Sequence, residues 1–301
     1  MMSNKTLGRV LGVAVAAAAM SQTAQAALVW IDPDGPAGVN PPVLVGSIDL
    51  LPGNALNKNV LLPNSTQFTN YYQARVGAFL DANNNVIPVV GLNDPASPNH
   101  FEITVVAQFD LTVTSSTVGP GTATTGTALA SVQPVNFVRF YYDTNVNASD
   151  LAGTGFADGT KILEGAATFF GGTFVEFTGF PPANFDNYGV NDYPGIKSNT
   201  GTGGALVEAS ITSTDPGFFI SPPSVLGMNF STTNGEPFND TNPSQQFLGI
   251  PANVGAINGV SGPDIQVQAD AAASFLVPEP GALALMGLVA LALRRVRRHR
   301  R

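Results

Sequence analysis

From Phe101 to Thr114 the odd positions are apolar and the even ones polar, with Val106 the exception. A period of two sets one row of side chains on a buried face and the other on a wet face of a β-strand. The run is longer than an ordinary strand, which predicts a bend or bulge within it. Shorter runs rich in Val, Ile, Phe, Tyr and Thr, at 71–80, 86–90, 137–142, 167–177, 206–212 and 265–269, predict further strands. Clusters of Gly, Pro, Asn and Asp separate them. No apolar stripe of helical period occurs between residues 27 and 276, and Ala271–Ala273 is too short to count. The Gly/Thr/Ala-rich stretches 118–128 and 198–204 read as flexible loops. No internal repeat is evident. The pattern predicts an all-β fold, a single β-sandwich-like domain over 27–276, with a closed barrel as the alternative.

The two ends follow different rules. Lys5 and Arg9 precede an apolar run, Val10 to Met20, and a small, polar stretch ends in Ala24-Gln25-Ala26. That is the order of a secretory signal peptide over 1–26, with cleavage between Ala26 and Ala27. At the other end Pro278-Glu279-Pro280 is followed by an uncharged apolar run, Gly281 to Leu293, and then by Arg294, Arg295, Arg297, Arg298, Arg300 and Arg301. As a helix, 13 residues reach about 20 Å, short of a hydrocarbon core of about 30 Å. Residues 277–301 therefore read as a temporary membrane hold with its arginines on the cytoplasmic side.

Charge sharpens this division. Formal net charge is −8, but the basic residues crowd the ends. Residues 27–277 carry 20 acids against 5 bases, a net of −15. Such a surface repels phosphate backbones and argues against nucleic acid as a partner. The absence of cysteine excludes disulfides and thiolate chemistry.

Little of the usual catalytic equipment is present. His100 is the only histidine before the tail, and a nucleophile needs a base and an orienting group beside it. Gly259-Val260-Ser261-Gly262 stops short of a nucleophile elbow. Gly201-Thr202-Gly203-Gly204 lacks the Lys-Ser/Thr of a phosphate loop. Glu102, Glu164, Glu176 and Glu208 lie in or beside predicted strands, where a glycosidase would need two of them paired. The expectation is a non-enzymatic protein without a resident cofactor, with a carboxylate-based glycosidase as the least favoured alternative. Calcium is the one metal the residue types admit, through Asp143, Asn145, Asn147 and Asp150, or through Asp81, Asn83 and Asn85. These supply oxygens at alternate positions but lack the Gly and Glu of a full loop. Asx turns explain the same spacing. A carbohydrate-binding module, assisted by calcium, is the other alternative. Trp30, the doublets Tyr71-Tyr72 and Tyr141-Tyr142, Tyr188 and Tyr193 are its stacking candidates, one tyrosine of each doublet facing outward.

The tripeptide Pro278-Glu279-Pro280, the short apolar run and the Arg tail resemble the PEP-CTERM sorting signal of Gram-negative bacteria. The resemblance implies export through the Sec and signal-peptidase machinery and transient anchoring in the inner membrane. A membrane-embedded exosortase then cuts near the motif and delivers the chain to the cell surface or extracellular matrix. The series Phe140–Asn145, Asp158–Gly165, Gly217–Pro223 and Asn258–Asp264 is similar to flocculation-associated PEP-CTERM proteins, which implies a role in exopolysaccharide-linked aggregation or biofilm.

Overall fold

The computed structural model describes residues 27–58, 67–118, 123–130, 136–177, 183–190, 193–198, 201–232, 238–252 and 264–276. Leu28–Phe275 form one compact unit; Met1–Ala27 and Leu276–Arg301 form a second, of which only Ala27 and Leu276 are among the described residues.

A hairpin of β1 (Val29–Ile31) and β2 (Val43–Val45) comes first. There follow β3 (Ser47–Leu50), β4 (Gly53–Lys58), β5 (Gln67–Leu80), the two-residue β6 (Val86–Ile87), β7 (Glu102–Val118), β8 (Ala123–Ala130), β9 (Phe137–Asp143) and β10 (Thr160–Phe177). A small pair, β11 (Ala183–Asn184) and β12 (Lys197–Ser198), precedes β13 (Gly201–Thr214) and β14 (Val225–Thr232). A second small pair, β15 (Gln246–Phe247) and β16 (Ile250–Pro251), precedes β17 (Ile265–Leu276).

Eleven strands form one antiparallel sheet. β3 and β4 lie end to end between β5 and β17, with Asp49 opposite Ala78 and Ala272, and Asn54 opposite Gln73 and Gln268. β8 and β9 likewise lie end to end between β7 and β10. Going round from β3/β4, the pairing runs through β5, β7, β8/β9, β10, β13, β14 and β17, and returns to β3/β4. Each wall is thus bonded to the wall next to it in sequence. The all-β expectation holds, and opposite walls pack face to face as in a sandwich. Tyr72 on β5 meets Phe230 on β14 edge-on, with ring centroids 4.9 Å apart. Hydrogen bonding also continues round both sides, so the sheet closes as an up-and-down barrel.

Alternation decides which side chains fill the interior. Ile103, Val105, Ala107, Phe109 and Leu111 point inward from β7 and are essentially buried. Tyr72, Ala74 and Val76 join them from β5, Val138 and Phe140 from β9, Val207 and Ala209 from β13, Leu226 and Met228 from β14, and Ala271, Ala273 and Phe275 from β17. Phe109 packs on Phe170 of β10 at 5.5 Å. Outward positions of β4, β5, β7 and β17 carry Asn54, Gln73, Arg75, Thr104, Gln266 and Gln268. The bend expected in the long β7 run is a register shift between Val113 and Ser115.

Two stretches expected to be loops prove to be strands in part. Residues 123–130 are β8, bonded to β10 and β7 on its two sides, and 201–204 begin β13. A central strand satisfies its backbone on both sides, so Gly, Thr and Ala suffice there without large side chains. Residues 119–122 and 199–200 lie outside the described residues. Ala271–Ala273 belong to β17, where small residues alternate between core and surface.

Candidate functional site

The best-organised polar region lies on the outer face of β17, β4, β5 and β7. Residues 144–159 and 238–252 lie across it, so positions that alternation assigns to water are buried. Glu102, Thr104, Asn54, Gln73, Gln266 and Gln268 are each at most 2% exposed. Ser244 is the hub. Its N–H donates to Asn54 Oδ1 (2.9 Å) and Gln266 Oε1 (2.6 Å), and its carbonyl accepts from Gln266 Nε2 (3.0 Å). Its hydroxyl accepts from Gln73 Nε2 (2.9 Å) and donates to the Asp150 carbonyl (2.5 Å). The Gln245 N–H donates to Leu151 O (2.9 Å) and Gln246 Nε2 to Ala152 O (3.3 Å), which ties the two covering segments to each other. Gly153 makes that contact possible. Its φ is +67°, and a Cβ there would stand 2.0 Å from the Gln246 carbonyl oxygen.

Glu102 anchors the other covering segment. Its Oε1 accepts the N–H groups of Asn147 and Ala148, both at 2.9 Å, and its Oε2 is buried with no hydrogen-bond partner among the described residues. Burial pushes this carboxyl above the ordinary range, against the lowering effect of the two N–H bonds and of Arg75. Thr104 Oγ1 donates to Phe156 O at 2.8 Å and fixes the far end of the loop.

These contacts show what the candidate calcium ligands do. Asp143 Oδ1 accepts the Asn145 N–H (2.8 Å), an Asx turn. Asn147 gives its N–H to Glu102 and its Nδ2 to Asp158 (3.3 Å). Asp150 is salt-bridged to Arg75 at 2.8 Å, and its carboxyl is pushed up by burial in spite of that partner. Asp143 and Asn145 share one turn, while Asn147 and Asp150 bond to other partners. In the other candidate loop, Asp81 Oδ1 accepts the N–H groups of Asn83 (2.7 Å) and Asn85 (2.9 Å), which with the Asn85 side chain pull its carboxyl below the usual range. Among the described residues no three His, Cys, Asp or Glu side chains gather as a metal-binding group.

Of the acid candidates for catalysis, Glu102 and Glu164 are engaged by partners of their own. Glu164 bonds Lys161 and Arg139, which hold its carboxyl low. The side chain of Glu176 lies outside the described residues. His100 is exposed, with Nδ1 2.7 Å from Ser97 O. Of the stacking candidates, Tyr72 faces the core and Tyr71, although outward, is covered by Phe247 and Ala252. The expectation of an accessible tyrosine at that doublet is corrected: the 238–252 segment takes the place of solvent. Tyr193 packs on Phe185 and donates its hydroxyl to Pro243 O (3.0 Å). Trp30 and Tyr188 are exposed. Sequence reasoning missed the amide ladder of Asn54, Gln73, Gln266 and Gln268, for which the only signal was amides where charged residues are more usual.

Every basic side chain of the described residues is used internally. Lys58 pairs with Asp264 at 2.6 Å, Arg75 with Asp150, and Arg139 and Lys161 with Glu164, while Lys197 donates to Asn184. The remaining carboxylates leave the barrel surface strongly negative.

The signal-peptide residues Ala24 and Ala26, the sorting residues Pro278, Glu279 and Pro280, and Arg294, Arg295, Arg297 and Arg298 lie outside the described residues, as does the apolar run between Gly281 and Leu293. Among the described residues no helix is long and apolar enough to cross a membrane. Residues 276–301 match the family described as the PEP-CTERM protein-sorting motif. Comparison with curated proteins and with solved structures finds no match for the chain. The motif marks an exported, exosortase-processed protein, anchored transiently at the membrane and then extracellular.

Proposed function

We propose that this PEP-CTERM chain delivers a non-enzymatic β-barrel to the cell surface or extracellular matrix of a Gram-negative bacterium, where it supports exopolysaccharide-associated aggregation. The sorting motif at 276–301 carries the reading. The barrel supports it in two ways. Its buried polar groups hold covering segments in place rather than converging on an open cleft, and its unpaired carboxylates keep it dispersed in a hydrated polymer. With every described base already engaged, contact with an anionic polymer requires a bridging cation, and contact with a neutral one requires exposed aromatics such as Trp30 and Tyr188. The latter is the second reading, a carbohydrate-binding module.

Intact mass and cell fraction of the native protein test the first reading. A species spanning residue 27 to about residue 278, recovered from the surface or matrix, is expected, together with weakened aggregation in a deletion strain. A product that keeps residues 281–301 in the inner membrane would overturn the matrix role.

A further inference from the structure

The barrel rim from which the chain departs toward its sorting tail has an unusual surface. Strand registers place Phe275 of β17, Ser47 of β3, Leu80 of β5, Glu102 of β7, Asp143 of β9 and Thr214 of β13 at the same end. The β1–β2 hairpin and residues 215–224 close that end. Phe219 packs on Phe275 at 6.1 Å, and the Ile220 N–H donates to Trp30 O at 3.0 Å. Across this small sheet Leu44, Trp30 and Ile220 stand side by side, and Leu28 shares the face of Trp30. Leu28, Trp30 and Ile220 are 46%, 47% and 53% exposed. Five large hydrophobic side chains of the described residues are more than half exposed, and four of them, Val39, Val86, Val90 and Ile220, lie at this rim. A soluble surface ordinarily scatters such residues.

The tether decides what meets this rim. Five residues, Leu276 to Pro280, separate Phe275 from the apolar run that begins at Gly281. Fully extended they reach about 17 Å. While the run is embedded, the rim is held within about 17 Å of the outer end of that run, beside the bilayer surface. We infer that the rim around Trp30 is a membrane-docking surface, with the exported leaflet of the bilayer that holds the sorting tail as its partner. Trp is the side chain most at home at that interface, its indole ring apolar in body and polar at N–H. Docking also relieves the mismatch of an apolar run about 10 Å short of the hydrocarbon core, because rim residues take up interfacial depth that the run does not fill. Asp81, Asp94, Asp143 and Asp158 at the same end oppose anionic headgroups, so the surface suits zwitterionic lipid and holds only while tethered. Cutting the tail then frees the domain. The inference rests on the sorting reading of 276–301.

Trp30 is the only tryptophan of the chain, which makes the test direct. The protein from Ala27 to Arg301 is reconstituted in vesicles of phosphatidylcholine and phosphatidylethanolamine, alongside the same protein ended at Leu276. Tail insertion is read by flotation with the vesicles, and Trp30 by acrylamide and by lipids brominated near the headgroup. Expected for the tailed protein is an emission shift to shorter wavelength, quenching by bromolipid, and an acrylamide quenching constant lower by about two-fold, as for an interfacial indole. Ile220→Asp and Val90→Asp, both at exposed positions, should reduce bromolipid quenching without reducing flotation. Flotation with Trp30 as open to acrylamide as in the tail-less protein would overturn the docking and leave the sorting reading intact. Failure to float would instead remove the tail insertion on which it rests.

Discussion

Glu102 gives the sharpest test of how the outer polar face is held. Its Oε1 accepts two loop N–H groups at 2.9 Å, from Asn147 and Ala148. In Glu102→Ala both donors lose their acceptor beneath a covering segment, while the cost of burying a carboxylate disappears. Two such bonds at about 1–2 kcal/mol each, less the relieved burial, leave a net loss of about 2–3 kcal/mol. For a domain of this size that lowers Tm by about 5–10 °C. Glu102→Gln keeps the accepting oxygen and removes the charge, so its Tm at neutral pH should stay within about 2 °C of the parent, a shift of under 1 kcal/mol. The two variants also separate on pH. The folded-state carboxyl is raised by burial, so across the window between about 4.3, the unfolded Glu value, and the higher folded value the native state binds more protons than the unfolded one. Stability from this group therefore falls as pH rises through that window, and Glu102→Gln should flatten this part of the curve. The assay is calorimetric melting of the 27–276 protein from pH 4 to 8. Equal melting of Glu102→Ala and Glu102→Gln would refute the reasoning, since the two differ in whether an acceptor is left for the loop.

Gly153→Ala should cost about 2–4 kcal/mol, because its left-handed backbone and the Gln246 oxygen at 2.0 Å leave no room for a Cβ; limited proteolysis should then cut within 238–252 faster than in the parent. Tyr72→Phe should stabilise by about 1 kcal/mol, since the Tyr72 hydroxyl is buried without a partner among the described residues; a lower Tm would mean that the hydroxyl is bonded. Arg75→Met should destabilise by about 1–3 kcal/mol at neutral pH, discounted for the partial exposure of the Arg75–Asp150 pair, and the deficit should shrink on acidification as Asp150 takes up a proton. Calcium and magnesium should raise Tm equally, by screening, because Asp81 and Asp143 are bonded to their own turns; a larger effect of calcium, lost in Asp81→Ala or Asp143→Ala, would show a specific site.

Period-two alternation made β7 legible, because Ile103, Val105, Ala107, Phe109 and Leu111 all meet the core. It exposed neither β8 nor the start of β13, whose place in the sheet rests on backbone pairing rather than on side-chain contrast. The join of β17 to β3 and β4 was also out of reach, since a pairing such as Ala272 with Asp49 leaves no local trace. Alternation also misread the outer face. Gln73 and Gln266 occupy positions that pattern assigns to solvent, yet 238–252 covers them, and only tertiary structure says which outward strip is roofed. The tail was legible for the opposite reason. Its order of tripeptide, apolar run and arginines is recognised in the membrane as a linear signal, so composition and sequence suffice.

The join between first and last walls bears on the order of events during export. Asp49 pairs with Ala272, and Asn57 with Ile265, across more than two hundred residues of chain. A polypeptide crossing a membrane from its N-terminus presents β3 and β4 early and β17 last. Until β17 emerges, β14 and β3/β4 lack the partner each has in the finished barrel, and unpaired edges invite strand exchange and aggregation. Ring closure of such high contact order is also intrinsically slow. The sorting tail follows β17 directly, so it halts the chain in the membrane just as the final wall comes free. In the finished barrel each of these walls is hydrogen-bonded on both sides, so a cut at the tail made after ring closure leaves no unpaired edge among them.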